Sequence, residues 1–171
     1  MASARDLLFL AVLASAGMAA PCAQAQEMSK LATMVDWSLY TDAASPHLFC
    51  FITSAPKFSE PSDAARDAPR MYISAWPKDG VKGELSVLLG FPPKKGSEIT
   101  AAVGTQTFRM FTANDRAFVQ DATAELKLLE AMRKGAKLAI TATTGTGKQV
   151  TDSYSLSGLG QAMGELQSTC F

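Results

Sequence analysis

Apolar and polar positions alternate in short runs along most of this chain, with Gly, Pro and Asp between them, a spacing that predicts β-strands joined by tight turns. Residues 35–40 and 47–53 flank a polar turn and form a first hairpin. A second joins 70–76 to 84–91 around Pro77, Lys78, Asp79 and Gly80, and a third joins 98–103 to 106–111 around Gly104. The runs 137–143 and 149–156 close the series, and 117–120 adds a short strand. Val, Ile, Thr, Phe and Tyr are common in these runs, as suits side chains packing on a pleated surface.

Two segments carry a helical period instead. In the first, Ala122, Leu126, Leu129 and Met132 recur on one face, Asp121 caps the start and Gly135 closes the end. In the second, Leu159, Ala162, Met163, Leu166 and Cys170 follow the i, i+3, i+4, i+7, i+11 stripe of a core-facing helix. Cys170 therefore points at the core. On the strand side Cys50 alternates with Leu48 and Ile52, while Phe49 and Phe51 make the opposite face apolar too, as in a strand covered on both sides. Trp37, Trp76 and the phenylalanines are assigned to the core by default.

The segment 55–69 fits neither pattern: it holds Pro56, Pro61 and Pro69 among Lys57, Glu60, Asp63, Arg66 and Asp67. It reads as the one long irregular connection, either a solvated loop or the carrier of an interaction site.

The N-terminus has a different character. Arg5 precedes a compact apolar run, Leu7 to Leu13, and a small-residue stretch through Ala25, the layout of a secretory leader. The run is too short to cross a bilayer as a permanent helix. Cleavage after Ala25 makes 1–25 the signal peptide and 26–171 a single domain; cleavage after Ala19 fits as well. Cys22 lacks the setting of a lipid-anchored leader, because Ala19 and Pro21 stand where a branched aliphatic and a small residue belong. Export leaves Cys50 and Cys170 in an oxidising compartment, periplasmic or secreted, and predicts a disulfide between them.

Charge narrows the partners. The chain has 16 basic and 16 acidic residues, and the leader removes one of each, so nothing steers the molecule toward nucleic acid or an anionic membrane. No apolar stretch after the leader approaches the length of a membrane span.

Candidate chemistry is sparse. The TGTGK run at 144–148 lacks the upstream glycine and the following Ser or Thr of a phosphate-binding loop, and it lies between two strands; it reads as a hairpin turn. His47 is the single histidine, so no paired-histidine metal site can be built, and no G-x-S-x-G elbow accompanies it. Asp152 shares strand parity with Val150, Tyr154 and Leu156, which places a carboxylate on an apolar face. Such a group needs a partner, Arg109 or a backbone amide. These residues yield no catalytic, metal-binding or cofactor-binding set.

Several ordered features together resemble a known family: the leader ending AQAQ, Asp36-Trp37, the first-hairpin cysteine, the run 87–91 followed by Pro, QTFRMFT at 106–112, LLEAMRKGAKLAITATTGTG at 128–147, and TDSYSLSGLGQAM from Thr151 with the terminal Cys170. The chain resembles the invasion-associated locus B family over nearly its whole length after the leader. The resemblance implies a secreted or periplasmic β-sandwich of Gram-negative bacteria, with founding members linked to host-cell invasion and no established catalytic motif. Many members carry a cysteine shortly after the early Trp; here that stretch reads Trp37, Ser38, Leu39, Tyr40. The expected architecture is all-β, an immunoglobulin-like sandwich of short antiparallel strands with two short helices. The expected role is a non-enzymatic envelope or secreted interaction protein with a protein or envelope partner; a hydrolase or small-ligand-binding protein with a hidden site is the alternative.

Overall fold

The computed structural model describes residues 27–45, 47–62 and 66–171, so the expected leader and both expected cleavage positions lie outside it. Its strands are β1 (Met28–Met34), β2 (Trp37–Asp42), β3 (Cys50–Ser54), β4 (Phe58–Glu60), β5 (Arg70–Trp76) and β6 (Val81–Leu88), then β7 (Ile99–Val103), β8 (Gln106–Ala113), β9 (Arg116–Val119), β10 (Lys137–Thr143) and β11 (Gln149–Ser155). Helix α1 (Ala122–Lys134) stands between β9 and β10, and α2 (Leu159–Cys170) ends the chain. The expected all-β, sandwich-like fold with two helices is the one observed.

The strands form one antiparallel run in the order β1-β2-β3-β5-β6-β9-β8-β7-β10-β11-β4. That run curls back on itself. The Trp37 indole N–H of β2 donates to the Ser155 carbonyl at the end of β11 (3.2 Å), and the Asp36 amide bonds the Ser157 carbonyl, although β2 and β11 stand near opposite ends of the order. Side chains from both halves therefore meet in a single core. Leu39, Ile52, Ile73 and Leu85 lie in register across β2, β3, β5 and β6, and share that core with Ala101, Leu138, Ile140 and Val150.

Helix α2 is buried on the stripe read from the sequence: Leu159, Ala162, Met163, Leu166 and Cys170. Cys170 joins Cys50 of β3 with 6.2 Å between the Cα atoms and 120 residues between the partners. The helix-bearing C-terminus is thus fastened to the core face of the first hairpin.

Helix α1 is capped as expected, Asp121 Oδ1 accepting the Ala124 amide at 2.9 Å, but its buried face is turned. Leu128, Leu129, Ala131 and Met132 are buried, while Leu126 is 69% exposed. The reason is Glu125, which occupies a half-buried position because its carboxylate accepts the Leu85 amide (2.8 Å) along the part of β6 that β9 does not reach. Burial pushes the Glu125 pKa up, a shift opposed by the Leu85 hydrogen bond and reinforced by Glu84. Gly135 ends the helix through a close approach: a Cβ there would stand 2.5 Å from Val103 and 3.1 Å from the Ala131 carbonyl.

Two strands differ from the pattern reading. β1 has no strict alternation and carries a bulge between Lys30 and Ala32, as edge strands do. β4 lies inside the segment 55–69, so its described part is no loose connection. The TGTGK stretch is the β10–β11 turn, closed by the Thr144 amide to the Lys148 carbonyl (2.8 Å).

Candidate functional site

Two features of the described residues stand out chemically: a buried ion pair under the segment 55–69, and an aromatic outer face on the first half of the sheet.

Asp152 is 2% exposed, on the apolar face of β11 where parity placed it. Its partner is Arg66 and not Arg109, which instead pairs with Glu98 on the surface at 2.9 Å. Strand β4 sets Ser59 opposite Asp152, and Arg66 returns to the same carboxylate. The guanidinium grips the carboxylate with both ends, one at 2.8 Å to Oδ2 and the other to Oδ1. It also donates to the Ser59 hydroxyl (2.7 Å) and the Leu89 carbonyl (3.1 Å). The Ser59 hydroxyl in turn donates to Asp152 Oδ1 at 2.7 Å, and Arg66 stacks 5.7 Å from the Phe91 ring centre. Gly90 makes room for this return: its carbonyl accepts the Asp67 amide at 3.0 Å, at a φ of 75° and with the Asp67 carbonyl where a Cβ would stand.

The network is closed on itself. Carboxylate and guanidinium satisfy each other, as buried charges must, and the result is a clasp that fastens segment 55–69 to the core. A second fastening is the Lys57–Asp36 ion pair, in which Lys57 and the Ser155 hydroxyl hold the Asp36 carboxyl below its ordinary pKa. Tyr154, two residues from Asp152, is fully buried with no hydrogen-bond partner for its hydroxyl among the described residues; burial pushes its pKa up and keeps it neutral. His47 is exposed in the turn between β2 and β3, away from this cluster. No three His, Cys, Asp or Glu side chains gather as a metal site among the described residues.

The outer face of β2, β3, β5, β9 and β8 carries aromatic side chains on neighbouring strands. Tyr40 faces Phe51 across β2–β3, their rings stacked with centres 5.2 Å apart. Phe51 meets Phe49 at 5.5 Å and Tyr72 edge-on at 5.6 Å, and Phe49 stacks on Trp76 at 4.1 Å. Beyond Tyr72 the cross-strand row continues through Ser86 to Phe118 and Phe111. Arg116 bridges the gap, its guanidinium 4.9 Å from the Tyr72 ring centre and its Nη1 3.5 Å from the Ser86 hydroxyl, while Phe118 and Phe111 stack at 5.7 Å.

Phe49 and Phe51 thus do not mark a strand covered on both sides. On this face Trp76 and Phe111 are exposed, and the remaining rings are half-buried and packed on one another. Assigning Trp76, Phe49, Phe51, Phe111 and Phe118 to the core by default is corrected here, whereas Trp37 and Phe91 are buried in the core as expected. The signal that identifies the face is the coincidence of aromatic residues at one parity on neighbouring strands, which requires the pairing register. A large apolar surface of this kind marks a contact site more often than a catalytic one, since its rings offer area and shape and no titrating group.

Comparison with known proteins agrees with this architecture. The described fold is similar to the crystal structure of invasion associated protein B from Bartonella henselae, with a TM-score of 0.58, 18% sequence identity, and coverage of 80% of this chain and 95% of that one. At that identity the likeness bears on the fold alone. No curated protein matches the sequence. The family model for the invasion associated locus B (IalB) protein matches residues 37–167, from the Trp37 that anchors the first hairpin through nearly all of α2, and the chain therefore belongs to that family.

Proposed function

We propose that this chain is an exported, non-enzymatic envelope protein that works by binding, and that the aromatic face of β2, β3, β5, β9 and β8 is its contact surface. The observation that carries the reading is the two groups of ring contacts, Trp76 to Tyr72 and Phe118 with Phe111, linked by Arg116, which stand on the outside of a sheet whose inside already supplies the core. Interfaces favour such side chains because they bury large areas with few rotatable bonds. The family's association with invasion supports a role at the cell envelope. The disulfide supports a periplasmic or secreted location, and no helix among the described residues is long and apolar enough to cross a membrane. The closed Arg66–Asp152–Ser59 network favours binding over hydrolysis, because its groups are committed to one another.

The test is comparative capture. Wild-type protein and a Phe51→Ser/Trp76→Ser variant, matched for folded signal by circular dichroism, are crosslinked in the envelope fraction of producing cells and the adducts compared. The reading expects adducts with the wild type that the variant loses. Equal adducts from both proteins would contradict it.

A further inference from the structure

A second surface lies away from the aromatic face, in the groove between α1, α2 and the start of β6. It has a volume of about 410 Å³, within the range of roughly 300–1,000 Å³ typical of small-molecule sites. Its apolar lining comes from Leu126 and Leu129 of α1 and Met163 of α2, with side-chain-free Gly83 of β6 between the helices. Residues 126, 129, 130 and 133 share one side of α1 and line the groove, where Leu126, turned out by the inward Glu125, is exposed beside the buried Leu129.

The polar groups around the groove are unequally matched. Gln167 donates to the Lys82 carbonyl at 2.6 Å and ties α2 to β6. The Glu130 carboxylate is taken by Lys134 at 2.6 Å. Lys82 and Arg133, by contrast, form no ion pair among the described residues. Arg133 turns its Nε to the soft Met163 sulfur at 3.3 Å, and the Lys82 ammonium stands 5.9 Å from the centre of the exposed Phe171 ring. An apolar trough flanked by two cations that lack carboxylates complements a ligand with an alkyl chain and one anionic end.

We propose that this groove binds a free fatty carboxylate, its chain along Leu126, Leu129 and Met163 and its head group between Lys82 and Arg133. The proposal does not depend on the role of the aromatic face. Charge-assisted hydrogen bonds to the head group give the site its preference for an acid over an alcohol of equal length. The chain contributes by burial, so affinity rises about three- to fourfold per methylene until the groove is full and then levels off.

The experiment titrates the full exported protein with octanoate, decanoate and dodecanoate below their micelle concentrations, following backbone amide NMR shifts and calorimetric heat. Saturable binding of one dodecanoate per chain is expected, with shifts concentrated on 82–83, 126–133 and 163–167. Dodecanol, Lys82→Glu/Arg133→Glu and Leu126→Asp should each weaken binding by about tenfold or more. All three substituted positions face the groove, and unchanged thermal unfolding checks that the variants fold. The proposal is overturned if dodecanoate does not saturate, if its shifts fall on the aromatic face, if dodecanol binds equally, or if the variants bind like the wild type. Binding seen only with phosphatidylglycerol vesicles or an acidic peptide, and not with dodecanoate, overturns it as well.

Discussion

The two halves of the sheet share one core but turn opposite kinds of surface to the outside. Across β8, β7, β10 and β11 the outer row reads Arg109, Thr100, Thr141 and Thr151, with the last two hydroxyls bonded at 3.0 Å. Threonine there meets the preference of a strand for β-branched side chains while remaining compatible with water. On the other half the outward positions hold rings in two neighbouring rows, Tyr40 opposite Phe51 on β2 and β3, and Tyr72, Phe118 and Phe111 on β5, β9 and β8 with Ser86 of β6 between. Strand geometry is the same on both halves, so the fold by itself does not call for rings on the outside. Threonine shows what the sheet needs; the aromatic residues exceed it, and that excess is what points to a contact surface.

If the comparison is right, the threonine half owes its integrity to what lies beneath it, and the largest effect comes from breaking that. Asp152→Ala leaves Arg66 buried without its partner and should cost about 3–5 kcal/mol of stability in urea denaturation. Replacing both charges, Arg66→Met with Asp152→Leu, should recover most of the loss. The aromatic half is secured instead by the Cys50–Cys170 bond, and Cys50→Ala/Cys170→Ala should cost about 2–5 kcal/mol, read from the same denaturation curves.

Smaller effects sharpen the contrast between the faces themselves. Phe51→Thr, which copies the threonine face onto the aromatic one, should lower stability by about 1 kcal/mol through lost ring contacts, with a far larger effect on partner capture. Thr141→Ala should cost about 0.5 kcal/mol or less and leave capture unchanged. Smallest is the pH response of Glu125, at the flank of β6. Its folded pKa is raised above the ordinary glutamate value of 4.5, so the native state loses stability as pH rises from there through the folded value. Glu125→Gln keeps an acceptor for the Leu85 amide and should flatten that decline, as judged by urea midpoints on either side of the window.

Much of the fold was legible in the sequence because its signals are local. The α2 stripe, the hairpins flanked by turn residues and the core-facing parity of Cys50, Cys170 and Asp152 all depend on spacing within one element. What escaped depends on contacts between elements. Arg66 is visible as one charge among several in a proline-rich segment, but its pairing with Asp152 requires β4 to dock on β11, and a three-residue strand carries no periodic signal. The phase of α1 was misplaced because Glu125, polar by type, is held inward by the open β6 edge, which freed Leu126 to face out. For the candidate site, the apolar character of Phe49 and Phe51 was plain. Whether another layer covered them was not, since exposure of a sheet face is decided by where α1 and α2 dock, and α2 packs against β2, β3 and β5 through its buried stripe toward the core.

The most direct test of the contact surface is site-specific photo-crosslinking in cells that produce the protein. A benzophenone side chain is placed singly at Phe111 or Trp76 on the aromatic face and at Thr141 or Thr100 on the threonine face, and adducts are compared after irradiation. The account predicts discrete adducts from positions 111 and 76 and none above background from 141 and 100. Adducts from the threonine face alone, or equal yields from both faces, would contradict it.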